Sequence, residues 1–226
     1  MAATALRAVW LGRLRFATAL GMQLRLRDAV VAGTQPDTLL LVEHPPTLTL
    51  GRRGQRAYVL WSDAQLADFG VEVCESPRGG QVTLHAPGQL VAYPVVRIGV
   101  EVRRHVTRLG HAATALLAAL GVEGARFTTD PLGVWHDAGK LGSIGVHVSR
   151  GVSVQGIAIN LAVDPRLFTA LVACGMPSAR LVNAVALAPE IPSVELAATA
   201  YADAFATLGG QHAAFVTAST LSTAIG

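Results

Sequence analysis

Residues 132–161 read LGVWHDAGKLGSIGVHVSRGVSVQGIAINL. The segments 132–136, 141–148 and 152–161 are rich in Val and Ile and broken by glycines, which predicts three strands in succession. Upstream, an Ala-rich helix is expected over roughly 101–120, ending at Gly121. Before it come two strands, 71–84 and 90–98, separated by HAPGQ. Further toward the N-terminus, HPPTLTLGRRG (44–54) reads as a Pro-stiffened loop, a short Thr-Leu strand and a Gly-bounded turn. Thr38–Val42 reads as a buried strand, Phe16–Val31 as an amphipathic helix and 6–12 as a first strand. Downstream, Asp164 and Pro165 form an N-cap and first-position pair for a short helix running toward Cys174 and Gly175. The tail from Pro189 is Ala/Thr-rich and holds one helix near 194–207. Strands and helices mix without regular βαβ alternation, so the fold class is α+β, a mixed β-sheet flanked by helices.

The bulk numbers narrow the function classes. A chain of 226 residues with 51% hydrophobic and 15% charged residues can bury a sizeable core, and disorder is excluded. Mean hydropathy is +0.44, yet no stretch reaches the ~20 consecutive apolar residues of a spanning helix. Arg7, Arg13 and Arg15 interrupt the N-terminal apolar residues, so no signal peptide is read there and a cytoplasmic location is expected. A net charge of +3 is spread over scattered arginines without aromatic interleaving, which argues against a dedicated nucleic-acid binder. It is compatible with an acidic protein partner. Cys74 and Cys174 form no disulfide framework, and the seven histidines do not cluster at ligand spacing, so no metal site is expected. Dinucleotide, P-loop, zincin and GxSxG motifs are absent.

Two features point to chemistry. Arg78-Gly79-Gly80 enters a strand, and the Ala86-Pro87-Gly88 turn follows His85; paired glycine loops of this kind mark close approach of backbone to a ligand. The second feature is compositional. Of eighteen basic side chains, seventeen are arginine and only Lys140 is lysine. Arginine cannot exchange a proton near neutral pH, whereas an amine can. Lys140, flanked by Gly139 and the LGSIG strand, is therefore a candidate for proton transfer, and a cation near Cys174 would favour its thiolate. Cys74, in the alternating VEVCE segment, reads as an inert core thiol.

Taken in order, LLLVEHPPTLTLGRRG, RGGQVTLHAPGQLVAYPV, GVWHDAGKLGSIGVHVS, GIAIN and CGMP closely resemble the octanoyltransferases of lipoate biosynthesis, from about Val9 to Asn183. The resemblance implies the biotin/lipoate protein ligase-like catalytic fold over 1–183, with 184–226 as a small C-terminal subdomain or cap. It implies an acyl-thioester nucleophile at Cys174 and a pKa-lowering lysine at Lys140. The family's substrate-binding segments fall on Arg78, Gly79, Gly80, Gln81, Val82, Thr83, Leu84 and His85, on Ser143, Ile144 and Gly145, and on Gly156, Ile157 and Ala158. No cofactor is implied. The implied partners are octanoyl-acyl carrier protein as donor, and as acceptors the lipoyl domains of 2-oxoacid dehydrogenases and the glycine cleavage H protein. The chain departs from the family pattern with Leu84 for an aromatic residue, Ala86 for Gly, KLGSIG for KIAAIG, and Gln155 for a frequent His. The alternatives are an ATP-dependent lipoate or biotin ligase on the same fold, a non-catalytic acyl or lipoyl-domain binding protein, and an amidotransferase moving octanoyl between lipoyl-domain proteins.

Overall fold

In the computed structural model, which describes residues 4–172, 179–188 and 190–225, the glycine-broken stretch forms three adjacent antiparallel strands. These are β8 (Leu132–His136), β9 (Gly139–Ser149) and β10 (Val152–Asn160). On its other side β10 pairs antiparallel with β6 (Gln89–Arg97), and β6 pairs antiparallel with β2 (Thr38–Glu43). Parallel pairing then adds β1 (Thr4–Arg13) and β11 (Gln211–Phe215), while β7 (Arg126–Thr129) closes the opposite edge beyond β8. The sheet order is β11-β1-β2-β6-β10-β9-β8-β7.

Every residue of β10 is buried, because helices cover both faces of the sheet. On one face Ile157 and Ile159 pack with α3 (Val102–Ala119) and α4 (Val194–Thr207). On the other, Val152, Val154 and Ala158 meet α1 (Phe16–Ala32), whose buried side chains Phe16, Ala19, Met22, Gln23, Leu26 and Val30 recur at helical spacing. Leu221 of α5 (Ala218–Ile225) joins that second core.

A smaller sheet, β4-β3-β5, stands beside the large one. It comprises β3 (Thr47–Leu50), β4 (Glu72–Glu75) and β5 (Val82–His85). Leu48, Val82, Leu84 and Leu167 are buried together between this sheet, α2 (Asp63–Asp68) and the 3-10 turn Pro165–Ala170.

Three expectations change. The single strand over 71–84 is two strands, β4 parallel and β5 antiparallel to β3, because Pro77 and the two glycines break the run into a loop over 76–81. The helix begun by Asp164, whose carboxylate accepts the Arg166 N–H, is a 3-10 turn ending at Ala170. Its expected end at Cys174-Gly175 lies outside the described residues. The segment expected as a C-terminal cap contributes α4, β11 and α5, and β11 extends the main sheet by parallel pairing to β1. Ala197, Ala198, Tyr201 and Phe205 of α4 are fully buried in the same core as α3.

Candidate active site

The kinked centre of β10 shapes the site. Between the pairs Ser153–Val96 and Ile157–Ala92, the ladder to β6 is interrupted where Gln155 stands opposite Pro94 in register. Proline has no N–H to give, and Gln155 adopts a left-handed φ of 62°. Its backbone N–H donates instead to Gln23 Oε1 of α1 at 2.8 Å. The next residue must be glycine: a Cβ on Gly156 would lie 2.1 Å from the Ala92 carbonyl oxygen. The kink brings Gln155, Gly156, Ile157 and Ala158 onto one wall of a narrow cleft.

Ser143, Ile144 and Gly145 of β9 form the adjoining wall, and Arg78 of the 76–81 loop and Thr83 and His85 of β5 also line the cleft. Val91 and Tyr93 complete the lining from β6. A contiguous narrow cleft shares Thr83 and Ser143 and adds Val82, Leu84, Gln89, Asn160, Phe168, Leu171 and Leu181. The segments at 78–85, 143–145 and 156–158 thus converge on one place. Gly79, Gly80 and Gln81 do not line either cleft; Gly79 N–H donates to the Val146 carbonyl at 3.1 Å, fastening the loop to β9.

Polar groups behind the cleft are joined end to end. The Arg78 guanidinium donates to Thr49 Oγ1 at 2.8 Å and to the Thr49 carbonyl at 2.6 Å. The Thr49 hydroxyl is 3.4 Å from His85 Nε2, and His85 Nδ1–H donates to Gln89 Oε1 at 2.9 Å. Gln89 Nε2 then donates to Asn160 Oδ1 at 2.9 Å, and Asn160 Nδ2 to the Val182 carbonyl at 3.3 Å. Val182 N–H donates to the Lys140 carbonyl at 3.1 Å. Burial, with His44 and Arg78 nearby, holds His85 well below the usual imidazole range, so it is neutral and its two nitrogens have distinct roles. His44 is likewise pushed down to about 4 by burial; its Nδ1–H donates to the Leu14 carbonyl at 2.6 Å and its Nε2 lies 2.9 Å from the Tyr93 hydroxyl.

Lys140 is only 1% exposed. Its Nζ donates to the Leu132 carbonyl at 3.0 Å and sits 5.1 Å from the centre of the Trp135 ring. The stem passes over Gly133, where a Cβ would meet Lys140 Cε at 2.6 Å. Lys140 N–H donates to the Arg180 carbonyl at 2.7 Å, and a parallel bridge joins Lys140 to Leu181. An antiparallel bridge joins Val59 to Leu171. Both flanks of the Cys174 stretch are therefore anchored, and Leu171 and Leu181 both line the second cleft. Cys174 itself lies outside the described residues. Cys74 is half-buried in β4, not in a core, and burial together with Glu72 pushes its thiol up, which disfavours the thiolate.

Sequence reasoning missed Thr49, Gln89 and Asn160, which link the two sheets from three distant positions, and it missed Gln23. Among the described residues no group of three or more His, Cys, Asp or Glu is arranged to hold a metal ion, and no helix is long and apolar enough to cross a membrane.

A mixed sheet with a small second sheet beside it is the arrangement this chain shares with solved lipoate ligases. Two solved structures share it. One is lipoate-protein ligase A bound with ATP, 15% identical, with a TM-score of 0.75 and coverage of 98% of this chain and 93% of that one. The other is the bipartite lipoate protein ligase of Thermoplasma acidophilum, 16% identical, with a TM-score of 0.73 and coverage of 98% and 91%. Residues 15–206 match the lipoyl protein ligase A/B catalytic domain, and the chain belongs to that family, within its octanoyltransferases. The octanoyltransferase of Geobacter metallireducens is 44% identical over 169 residues, 74% of this chain and 76% of that protein. The octanoyltransferase of Chloroflexus aggregans is 40% identical over 194 residues, 83% and 87% respectively.

Proposed function

We propose that the chain is an acyltransferase that moves an octanoyl group from octanoyl-acyl carrier protein to a specific lysine of lipoyl domains, through an acyl-thioester on Cys174. The observation that supports this reading most is the bridge from buried Lys140 to Leu181, which ties the amine's strand to the chain leaving the Cys174 stretch, beside a cleft that Leu171 and Leu181 line. Cys174 Sγ, as thiolate, attacks the thioester carbonyl, and the C–S bond to the carrier breaks to release the carrier thiol. The acceptor lysine amine then attacks the new thioester, forming an amide and returning the thiolate. Lys140 takes the proton from Cys174, protonates the departing carrier thiolate, and accepts a proton from the attacking amine. The cleft walls at Ile144, Ile157 and Ala158 take the chain, each buried methylene contributing ~0.8 kcal/mol.

The thioester is already activated, so the reaction needs no ATP and no cofactor. The acceptors are the lipoyl domains of 2-oxoacid dehydrogenases and the glycine cleavage H protein, and the site of action is the cytoplasm. The test mixes the chain with octanoyl-acyl carrier protein and an unmodified lipoyl domain, with and without ATP. Octanoylation of the domain lysine without ATP is expected. Modification that requires free octanoate plus ATP would make the chain a ligase, and binding without modification would make it a non-catalytic binder.

A further inference from the structure

A cleft of about 370 Å³ lies away from the proposed octanoyl site, between the N-terminal half of α3, the end of β6 and the turn after α4. Its walls include Arg97, Arg104 and Arg108 against a single carboxylate, Glu101, and two apolar side chains, Ile98 and Leu208. Two of the arginines are partly committed to helix ends. Arg97 donates to the Val30 carbonyl near the end of α1, and Arg108 donates through Nε to the Phe205 carbonyl at 2.7 Å and lies 3.9 Å over the Phe205 ring. Arg104 is exposed and has no partner among the described residues.

His105 gives the independent sign of a ligand. It lines the same cleft and is 4% exposed, and its Nε2 is buried without any hydrogen-bond partner. A buried polar atom left unmatched costs about 1–3 kcal/mol, so it is retained where something else satisfies it. Burial and the neighbouring Arg108 hold this imidazole down to about 4, so it is neutral at pH 7 and offers one N–H. The α3 N-terminus adds to this, because Glu101 at the N-cap makes no side-chain cap.

We propose that this cleft binds a small organic phosphate monoester, with its phosphate on Arg104 and the α3 N-terminus, His105 as a neutral donor, and its organic body against Ile98 and Leu208. Planar guanidinium forks fit phosphate oxygens in pairs, and a cleft of this size accepts an organic body as well as the ion. This site is additional to the octanoyl-transfer reading, and its test does not depend on that activity.

The test titrates the isotope-labelled full chain with phenyl phosphate, inorganic phosphate and benzoate and follows amide resonances by NMR. Phenyl phosphate should shift Arg97, Ile98, Arg104, His105, Leu208 and Gly209 and should bind at least tenfold more tightly than benzoate or inorganic phosphate. Arg104→Gln should weaken it by at least tenfold. His105→Leu should weaken it severalfold while leaving the thermal midpoint equal or higher, since the orphan nitrogen is gone. Absence of shifts at these amides, equal binding of benzoate, unchanged affinity in Arg104→Gln, or a lowered midpoint in His105→Leu would each overturn the proposal.

Discussion

The two clefts draw on different stretches of β6, Val91 and Tyr93 in one and Arg97 in the other, and are built on opposite plans. In the cleft between the two sheets the polar groups are closed on one another: Arg78, Thr49, His85, Gln89 and Asn160 form one series that ends at the backbone beside Lys140. In the cleft beside α3, Arg104 and His105 have no such partners among the described residues. A closed series fixes side chains in advance of the substrate, as the proposed transfer through Cys174 and Lys140 requires. An open set keeps its hydrogen-bonding capacity for a ligand and gives up stability for it.

Substitutions can break this comparison, and the largest effect falls on Lys140. Lys140→Arg keeps the charge and removes the titratable amine, so octanoyl transfer should fall by roughly 10²–10⁴-fold, read as kcat/KM on a lipoyl domain. Near-normal transfer would reduce Lys140 to a fixed charge. Next comes Gln89→Leu, which strips both His85 Nδ1–H and Asn160 Oδ1 of their partners at once. Unfolding in urea should show a loss of about 3 kcal/mol, and a neutral result would mean that the series is not closed.

Acid pH sharpens the contrast through the buried histidines. His44 and His105 are both held down to about 4 by burial, against an ordinary value of 6.5. Below pH 6.5 the unfolded chain takes up protons that the folded chain refuses, so stability is full above 6.5 and is lost as pH falls toward about 4. Between pH 7 and 5 each histidine accounts for about 2 kcal/mol. Urea midpoints measured across that range should fall accordingly, and His105→Leu should lose less than the parent by about one histidine's share. The smallest effect is that of His105→Leu at pH 7, where stability should be unchanged or higher by up to about 1 kcal/mol, in contrast to the loss from Gln89→Leu.

Much of this architecture is legible in the residues. The helix over 194–207 and the strands of 132–161 stand where Val/Ile runs, helical spacing and bounding glycines put them. The segments 78–85, 143–145 and 156–158 meet in space although they are scattered in the chain. Other elements are weaker as sequence. QHAAF of β11 has no alternation and is held as an edge strand by pairing with β1, a contact over two hundred residues away in the chain. The helix α2 did carry its signal, the Ser62–Gln65 capping box, in a run too short for periodicity to show. The Thr49–Gln89–Asn160 series has no local signature at all, since each member is an ordinary polar residue in a strand and only the stacking of two sheets makes them neighbours. Gln155 could be noticed as a departure from a family pattern, but its left-handed backbone follows from Pro94 on another strand.

The central claim is that the acyl group passes through Cys174 with help from Lys140, and intact-mass spectrometry tests it most directly. The chain is incubated with octanoyl-acyl carrier protein alone and quenched in acid. A mass increase of one octanoyl group is expected, located on the peptide containing Cys174, removed by hydroxylamine, independent of ATP and absent in Cys174→Ala. A Cys174→Ala variant that transfers octanoyl to the lipoyl domain at the normal rate would contradict the account.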